Sequence, residues 1–330
     1  MPNNLNLPEI TVVGAGAAGL EFIKKVRELN NDIKITLIDK NTHSFDKEKF
    51  THCLDFKSNI NLIDFAAKVN AVLIQDSLDR INVERKKIYF KQAEPVGYKT
   101  LVIAAGLKSK DISIKGDHRE GFVYLSDIKP LEIKGLIKIS SEIVIYATTM
   151  LGLRLAASLR QLGKEVRVLG DSWEFLGLDK ERVANFLIEK GVNVHLNVSI
   201  EEVIGEGQVK ATKVMPLKVY SSELVFIDSG FTSNLDFFEQ PVNISDTSPV
   251  FFNDMYIIGD ASRKDIDKEY FYEFNQKEAC LEADYLAEKL FGVNKASFER
   301  KILQEENKKK IIEEFLATKE NAFIENPLNK

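Results

Sequence analysis

The sequence has little that would place it in a membrane, on a disulfide scaffold or around a metal ion. Its 330 residues include only two cysteines, Cys53 and Cys280, which are far apart and form no CxxC pair, so we predict neither a disulfide framework nor a bound metal. No apolar run approaches the roughly 20 residues that a membrane-spanning helix needs. The first residues also lack the basic and apolar parts of a signal peptide. We therefore expect a cytoplasmic protein without a transmembrane segment.

An excess of positive charge is also missing. The formal net charge is −5 and the pI is about 5.6, which argues against nucleic acid as a partner. With 44% hydrophobic and 29% charged residues, the composition is that of a globular protein. The length is sufficient for two domains of ordinary size, each with its own core.

What the sequence does contain is a complete G-x-G-x-x-G near its start. A β-branched run at 10–13 precedes the motif at 14–19, and an amphipathic segment follows it. A second predicted strand, 33–38, ends at Asp39, at the spacing of about 20 residues that is typical of a dinucleotide-binding unit. Asp39 would accept a hydrogen bond from an adenosine ribose, and we include the adjacent Lys40 in the predicted site.

Each position of the turn has a separate physical task. Gly14 permits the tight turn, Gly16 lets the backbone approach a pyrophosphate, and Gly19 allows close packing of helix on strand. The unpaired N–H groups at the helix start, which include those of Ala17 and Ala18, would donate to the phosphates. The alternative interpretation is a glycine turn that serves packing only.

Later segments support the first interpretation and indicate which dinucleotide binds. A short strand in 98–110 ends at Ala104–Gly106, and a strand in 251–265 ends at Gly259 and Asp260. Together with the first turn, these motifs resemble the FAD-dependent pyridine nucleotide–disulfide oxidoreductase superfamily. That superfamily includes NADH oxidases, rubredoxin reductases, coenzyme A disulfide reductases and type II NADH dehydrogenases. The resemblance covers roughly residues 8–292.

The resemblance implies FAD as cofactor and an α/β fold with two Rossmann-like dinucleotide-binding domains, the second inserted in the first, plus a C-terminal helical tail. The implied parts are 1–110 and 243–297 for the FAD domain, 111–242 for an NAD(P)H-binding-like domain and 298–330 for the tail. The residues implied to hold FAD are Gly14, Gly16, Ala17, Ala18, Gly19, Asp39, Lys40, Leu78, Ala105, Gly106, Gly259 and Asp260. Leu78 belongs to this set through a predicted strand at 72–81 whose backbone would meet the adenine.

The inserted domain has a second strand–turn–helix, but its turn has lost two glycines. Ala147 and Thr149 stand at the first two glycine positions, and only Gly152 remains. Gly170 stands where an acid would hold the NADH ribose, and Asp171 follows one residue later. Two interpretations remain open: NAD(P)H docks in an altered manner, or the domain is retained for packing or for binding a partner.

Other departures concern residues that could react near a flavin. The superfamily often has Glu near the nicotinamide, where this chain has Arg154. Some members carry one redox cysteine after the second strand, and Cys53, beside His52, is a weak candidate for a catalytic thiolate. Cys280 lies in a helix that would point at the flavin, where packing is the simpler explanation.

The segment 298–318 has apolar residues at helical spacing and mixed charges, which predicts a helix that docks on a partner protein or mediates self-association. As the leading hypothesis, the chain is an FAD flavoprotein that passes electrons from the flavin N5 to an unidentified acceptor, with doubtful NAD(P)H binding. The first alternative is an NAD(P)H-dependent reductase with an altered turn. The second is a non-catalytic or electron-relay subunit of a complex, with a protein as its electron-transfer partner.

Overall fold

The computed structural model describes residues 9–57, 59–240, 250–252, 254–263, 276–293, 298, 305–318 and 328. Six strands form the sheet that carries the first glycine turn. In spatial order they are β20 (Val250–Phe252), β21 (Met255–Ile257), β9 (Thr100–Ile103), β1 (Glu9–Val13), β2 (Lys34–Asp39) and β5 (Ala71–Gln75). Neighbours are parallel except β20 and β21. β1 lies inside this sheet and its Val12 is fully buried, as a continuous β-branched run favours.

A second sheet has five strands, all parallel to their neighbours. In spatial order they are β11 (Phe122–Tyr124), β18 (Leu224–Asp228), β12 (Glu142–Ala147), β13 (Glu165–Leu169) and β14 (Asn193–His195). Both large sheets are therefore of the Rossmann-like type that the sequence predicts, and the α/β fold class is confirmed. Strands from both sides of the inserted segment, β9 and β21, lie next to each other in the first sheet.

The remaining strands form small antiparallel sheets. These are β3 (His43–Phe45) with β4 (Asn59–Asn61), β6 (Leu78–Asn82) with β7 (Lys87–Phe90) and β8 (Val96–Gly97), β10 (Leu107–Ser109) with β19 (Phe231–Ser233), and β15 (Ser199–Ile204) with β16 (Ala211–Met215) and β17 (Lys218–Ser221).

The described helices cover or connect these sheets. The α-helices are α1 (Ala17–Leu29), α2 (Lys47–Cys53), α3 (Leu62–Lys68), α4 (Pro130–Ile139), α5 (Met150–Gln161), α6 (Lys180–Glu189), α7 (Gln276–Leu290) and α8 (Glu305–Leu316). Three short 3-10 helices are Leu125–Asp127, Glu174–Asp179 and Gly259–Ser262.

One predicted element differs from the structure. The single strand expected at 72–81 is two strands, β5 and β6, separated by a turn at Asp76. The Asp76 carboxylate accepts hydrogen bonds from the backbone nitrogens of Ser77 (2.7 Å), Gln92 (2.9 Å) and Ala93 (2.7 Å). An Asp side chain that binds nearby N–H groups stabilises a turn, and this explains the break.

Helix α2 connects the two large sheets by packing against α5. Phe50 and Leu54 are fully buried in the same apolar cluster as the residues of α5. The Ser158 hydroxyl donates to the carbonyl oxygens of Thr51 and His52, each at 3.0 Å. The C-terminal half of α5 is thereby fixed beside α2.

Within the described residues, the predicted C-terminal helix spans Glu305–Leu316, and it packs on the chain itself. Ile311, Ile312 and Phe315 are buried, and the Phe315 ring lies 4.9 Å from the ring of Phe186 on α6. Of the predicted segment, residues 299–304 lie outside the described residues. The apolar side of α8 therefore faces α6.

Candidate functional site

Two glycines of the first turn are required by packing alone. Gly14 has a φ of +101°, and a Cβ atom on it would lie 2.3 Å from the carbonyl oxygen of Ala104. A Cβ atom on Gly19 would lie 2.0 Å from the carbonyl oxygen of Gly14. Any larger residue at either position collides with backbone, so these glycines carry no information about a ligand.

Gly16 is different, because nothing lies within 4 Å of the place where its Cβ would be. The residue is exposed, it is the N-cap of α1, and no side chain caps the helix there. The first turn of α1 also carries no acidic residue. The helix therefore presents its N–H groups and its positive dipole end to open space, and the donor set fits a pyrophosphate.

Asp39 lies at the end of β2 beside this turn. Its Oδ2 accepts a hydrogen bond from the backbone nitrogen of Ala15 at 2.8 Å, and its Oδ1 accepts one from the backbone nitrogen of Asn41 at 2.8 Å. The carboxylate thus fixes the turn while remaining partly exposed, and its role toward a ribose stays a prediction. Lys40 is exposed, with its Nζ 3.4 Å from Oδ1 of Asp127.

The other predicted turns come to the same edge of the sheet. The backbone nitrogen of Ala104 donates to the carbonyl oxygen of Val13 at 2.7 Å, which places Ala105 and Gly106 beside the first turn. A Cβ atom on Gly259 would lie 2.9 Å from the Cβ of Ala18, so Gly259 lies against the start of α1.

Two acidic groups fix the segment around Gly259. The backbone nitrogen of Gly259 donates to Oε2 of the buried Glu282 on α7 at 2.8 Å. The next residue, Asp260, forms an ion pair with Arg263, in which Oδ1 and Nε are 3.6 Å apart. Leu78 lies at the start of β6, in a separate small sheet, and packs against the cluster that contains Val13. The structure therefore brings together the predicted residues at the carboxyl ends of β1, β2, β9 and β21.

Lys47 is a residue that the sequence analysis missed. It is the first residue of α2, and its ammonium group donates to the carbonyl oxygen of Ser126. Burial of the ammonium group lowers the pKa of Lys47, whereas the carboxylates of Asp127, Asp39 and Asp260 oppose that shift. The charge of Lys47 therefore interacts with the carboxylates of Asp39 and Asp260, and no sequence motif indicated this lysine.

The cysteines do not have the surroundings of a reactive thiolate. The Cys53 thiol donates to the carbonyl oxygen of Lys49 at 3.2 Å, and partial desolvation together with the Asp55 carboxylate raises its pKa. Cys280 is partly buried, with its sulfur 3.9 Å from the carbonyl oxygen of Ala17, and burial raises its pKa also. Both shifts oppose ionisation, which a redox nucleophile requires.

The second turn contains an anion that belongs to the chain. Oδ2 of Asp228, the last residue of β18, accepts hydrogen bonds from the Thr149 backbone nitrogen (2.9 Å), the Thr149 hydroxyl (2.8 Å) and the Gly152 backbone nitrogen (3.1 Å). Thr149 is the N-cap of α5, so the carboxylate lies where a helix start would receive a phosphate. No sequence motif indicated Asp228, because it ends a neighbouring strand and lies 79 residues from Thr149 in the sequence.

Asp228 has no contact with solvent, and this alters its ionisation. Burial raises the pKa of its carboxyl group from 3.8 to about 6, although the hydrogen bonds from Thr149 and Gly152 favour the charged form. A Cβ atom on Gly152 would lie 2.7 Å from Oδ2 of Asp228, so this glycine is needed to admit the carboxylate.

The residues that follow β13 do not replace the missing ribose acid. Gly170 donates its N–H to the carbonyl oxygen of His195 at 3.0 Å. Asp171 is exposed, and its Oδ1 accepts the backbone N–H of Trp173 at 3.0 Å, which makes it a turn residue. Arg154, on α5, is buried.

Within the described part of the chain, no helix is both long and apolar enough to cross a bilayer. Over the same residues, no group of three or more His, Cys, Asp or Glu side chains is placed to hold a metal ion.

Comparison with known proteins assigns this architecture to a family. The family model described as pyridine nucleotide-disulphide oxidoreductase matches residues 8–264. Apoptosis-inducing factor 3 of Homo sapiens is 24% identical over 244 residues, which cover 70% of this chain and 40% of that protein. The ferredoxin–NAD(+) reductase component of the biphenyl dioxygenase system of Paraburkholderia xenovorans (strain LB400) is 22% identical over 67% of this chain and 57% of its own length.

Solved structures share the fold. The reductase in the covalent putidaredoxin reductase–putidaredoxin complex superposes with a TM-score of 0.73 at 17% identity, over 89% of this chain and 77% of that chain. The chain spans only about half the length of the two curated relatives, apoptosis-inducing factor 3 and the ferredoxin–NAD(+) reductase component. At this level of identity the structural likeness establishes the fold alone.

Proposed function

Because the chain belongs to the pyridine nucleotide-disulphide oxidoreductase family, we propose that it is an FAD-binding oxidoreductase whose flavin exchanges electrons with a partner other than NAD(P)H. The observation that carries this proposal is the Asp228 carboxylate at the start of α5. The proposed FAD-binding part is 1–110 with 243–297, the second domain is 111–242 and the tail is 298–330.

The first glycine turn supports FAD as the bound dinucleotide. Gly16 leaves open space, the N-terminus of α1 has no side-chain cap, and Asp39 lies at the end of the adjacent strand. When bound, FAD supplies the electron-transfer chemistry, while the protein supplies orientation and electrostatics. In this proposal Gly16, Ala17 and Ala18 receive the pyrophosphate.

The second turn disfavours a bound pyrophosphate mainly because the Asp228 side chain already occupies the start of α5. Protonating Asp228 at pH 7 would cost only about 1.4 kcal/mol, since its pKa is about 6. Charge repulsion alone is therefore a weak barrier. To admit a phosphate, however, the Asp228 side chain must move and lose three hydrogen bonds, each worth about 1.5–3 kcal/mol while the carboxylate is charged. A cost on the order of 5 kcal/mol lowers affinity by three to four powers of ten.

The relatives suggest the class of electron partner. One is named as a ferredoxin–NAD(+) reductase component, and one of the structural neighbours is a reductase in a covalent complex with putidaredoxin. We propose by analogy a protein electron carrier as the partner of this chain. Such a carrier can exchange electrons with the flavin without using the second dinucleotide site.

Anaerobic reduction tests the proposal. The purified chain is loaded with FAD, and the visible absorbance of the oxidised flavin is followed on addition of NADH, NADPH or dithionite. We expect bleaching by dithionite and none within minutes by either nicotinamide at micromolar concentration. Rapid bleaching by NADH or NADPH would establish the nicotinamide-dependent alternative, and failure to retain FAD would remove the basis of the proposal.

A further inference from the structure

The only tryptophan of the chain lies at the second dinucleotide crevice. Trp173 has no solvent exposure, and its indole Nε1–H donates to the carbonyl oxygen of Ala147 at 2.9 Å. A Cβ atom on Gly170 would lie 2.2 Å from the same nitrogen. The indole is therefore in contact with the backbone at the ends of two adjacent strands.

These two strand ends define the place of an adenosine in this fold. Ala147 ends β12, and Gly170 directly follows β13. Dinucleotides bind in the crevice outside the carboxyl ends of such strands, with the ribose acid at the end of the second strand. Gly170 is that position here, and the Trp173 indole lies over it.

The backbone holds the indole in this place. Trp173 has φ +48° and ψ +40°, a left-handed conformation that bulky residues rarely adopt. Its N–H is bound by the Asp171 carboxylate, and its carbonyl oxygen accepts the N–H of Leu176 at 3.0 Å. Hydrogen bonds of both its N–H and its carbonyl group thus hold Trp173 in a backbone conformation that glycine would adopt more easily.

We propose that Trp173 and Asp228 together form an internal occupant of the second dinucleotide site. The indole fills the adenosine half, and the carboxylate fills the pyrophosphate half. The two residues thereby determine specificity, because they exclude adenine dinucleotides while the domain keeps its fold. This inference rests on the proposed function and identifies the groups that would have to leave before a nucleotide could bind.

Trp173 itself is the probe for the first experiment. The FAD-loaded protein is excited at the tryptophan, and acrylamide quenching is measured with and without millimolar ADP, which carries the adenosine and pyrophosphate groups. We expect weak quenching that ADP leaves unchanged. A saturable increase in quenching with ADP would mean that the nucleotide displaces the indole, and this would overturn the inference.

Variants provide the second experiment. Trp173→Gly suits the left-handed backbone, and it is combined with Asp228→Ala. A matched control, Phe315→Ala, removes an aromatic ring from the same apolar cluster at α8. By equilibrium dialysis we expect the double variant to bind ADP at least tenfold more tightly than the wild type or the control.

A folded double variant with wild-type ADP affinity would contradict the inference. If circular dichroism shows that the double variant does not fold, the wild-type quenching result decides. The two proposals fail separately: flavin bleaching by NADH contradicts the proposed function, whereas an ADP response of wild-type Trp173 contradicts the internal occupant.

Discussion

The Asp228 carboxylate is bound to Thr149 through two hydrogen bonds, one from the backbone nitrogen at 2.9 Å and one from the hydroxyl at 2.8 Å. A helix N-terminus stabilises a nearby anion, and in α5 that anion is a side chain of the same protein. In α1 the corresponding N-cap is Gly16, which has no side-chain partner. The start of α5 is therefore occupied by the Asp228 carboxylate, whereas no side chain caps the start of α1, even though each turn joins a buried parallel strand to a helix.

Asp228 makes the stability of the fold depend on pH. Its pKa is about 6 in the folded chain and 3.8 as the ordinary value, so the folded state binds a proton more tightly than the unfolded state. This contribution is fully present below about pH 4 and is lost as pH rises to about 6, and the loss amounts to about 3 kcal/mol. We expect Asp228→Asn to remove this part of the pH dependence in urea unfolding measured between pH 4 and 8.

The control for this measurement is Asp111→Asn, because the Asp111 side chain is 90% exposed. We expect this variant to keep the wild-type slope of unfolding free energy against pH. Equal slopes for the wild type and Asp228→Asn would show that the buried carboxyl group does not titrate in this range.

Local patterns were sufficient to predict most of the fold. The β-branched run before Gly14 and the glycine spacing predicted a buried parallel strand followed by a helix, and β1 and α1 confirm both. The family and the Rossmann-like second domain are likewise confirmed. The single strand at 72–81 was predicted wrongly. A run of β-forming residues does not reveal that the Asp76 carboxylate accepts hydrogen bonds from the adjacent Ser77 and from the more distant Gln92 and Ala93, which make a turn there.

The candidate site was predictable only where its residues form a contiguous motif. The glycine turn and Asp39 belong to one strand–turn–helix–strand unit, so their spacing has meaning in the sequence. Asp228, by contrast, reaches Thr149 across 79 residues, and Trp173 reaches Ala147 from a separate loop. Neither contact repeats a known spacing, so only the three-dimensional structure brings these residues together.

Gly16 separates the contribution of FAD from the requirements of packing. We expect Gly16→Ala to change the free energy of unfolding of the FAD-free chain by less than about 1 kcal/mol, since its Cβ meets nothing within 4 Å. FAD affinity should fall at least tenfold, because the methyl group enters the space of the pyrophosphate. Fluorescence titration with FAD measures this, and Gly135→Ala, another glycine whose Cβ would meet nothing within 4 Å, is the control. Unchanged FAD affinity in Gly16→Ala would contradict the proposed pyrophosphate position.

Cys53 should behave as an ordinary thiol. Desolvation and Asp55 raise its pKa above the usual 9.0, so the thiolate is scarce at neutral pH. We expect iodoacetamide to modify it slowly at pH 7 and faster only as pH rises past 9. After the flavin of Cys53→Ser has been reduced by dithionite, an added acceptor should reoxidise it at the wild-type rate. If this variant no longer reduces the acceptor although FAD is still bound, Cys53 takes part in electron transfer and the prediction is wrong.

Phe315 tests whether the C-terminal helix stabilises its own chain. Its ring is buried against Phe186, so Phe315→Ala should lower the free energy of unfolding by about 3–5 kcal/mol. The bidentate pair of Arg182 and Glu313 on the same helices is about half exposed, so Arg182→Ala should lower the free energy of unfolding much less than Phe315→Ala. Urea unfolding at two protein concentrations measures both effects. Because the contacts are within one chain, the midpoint should not depend on concentration, and a midpoint that rises with concentration would instead indicate self-association through this helix.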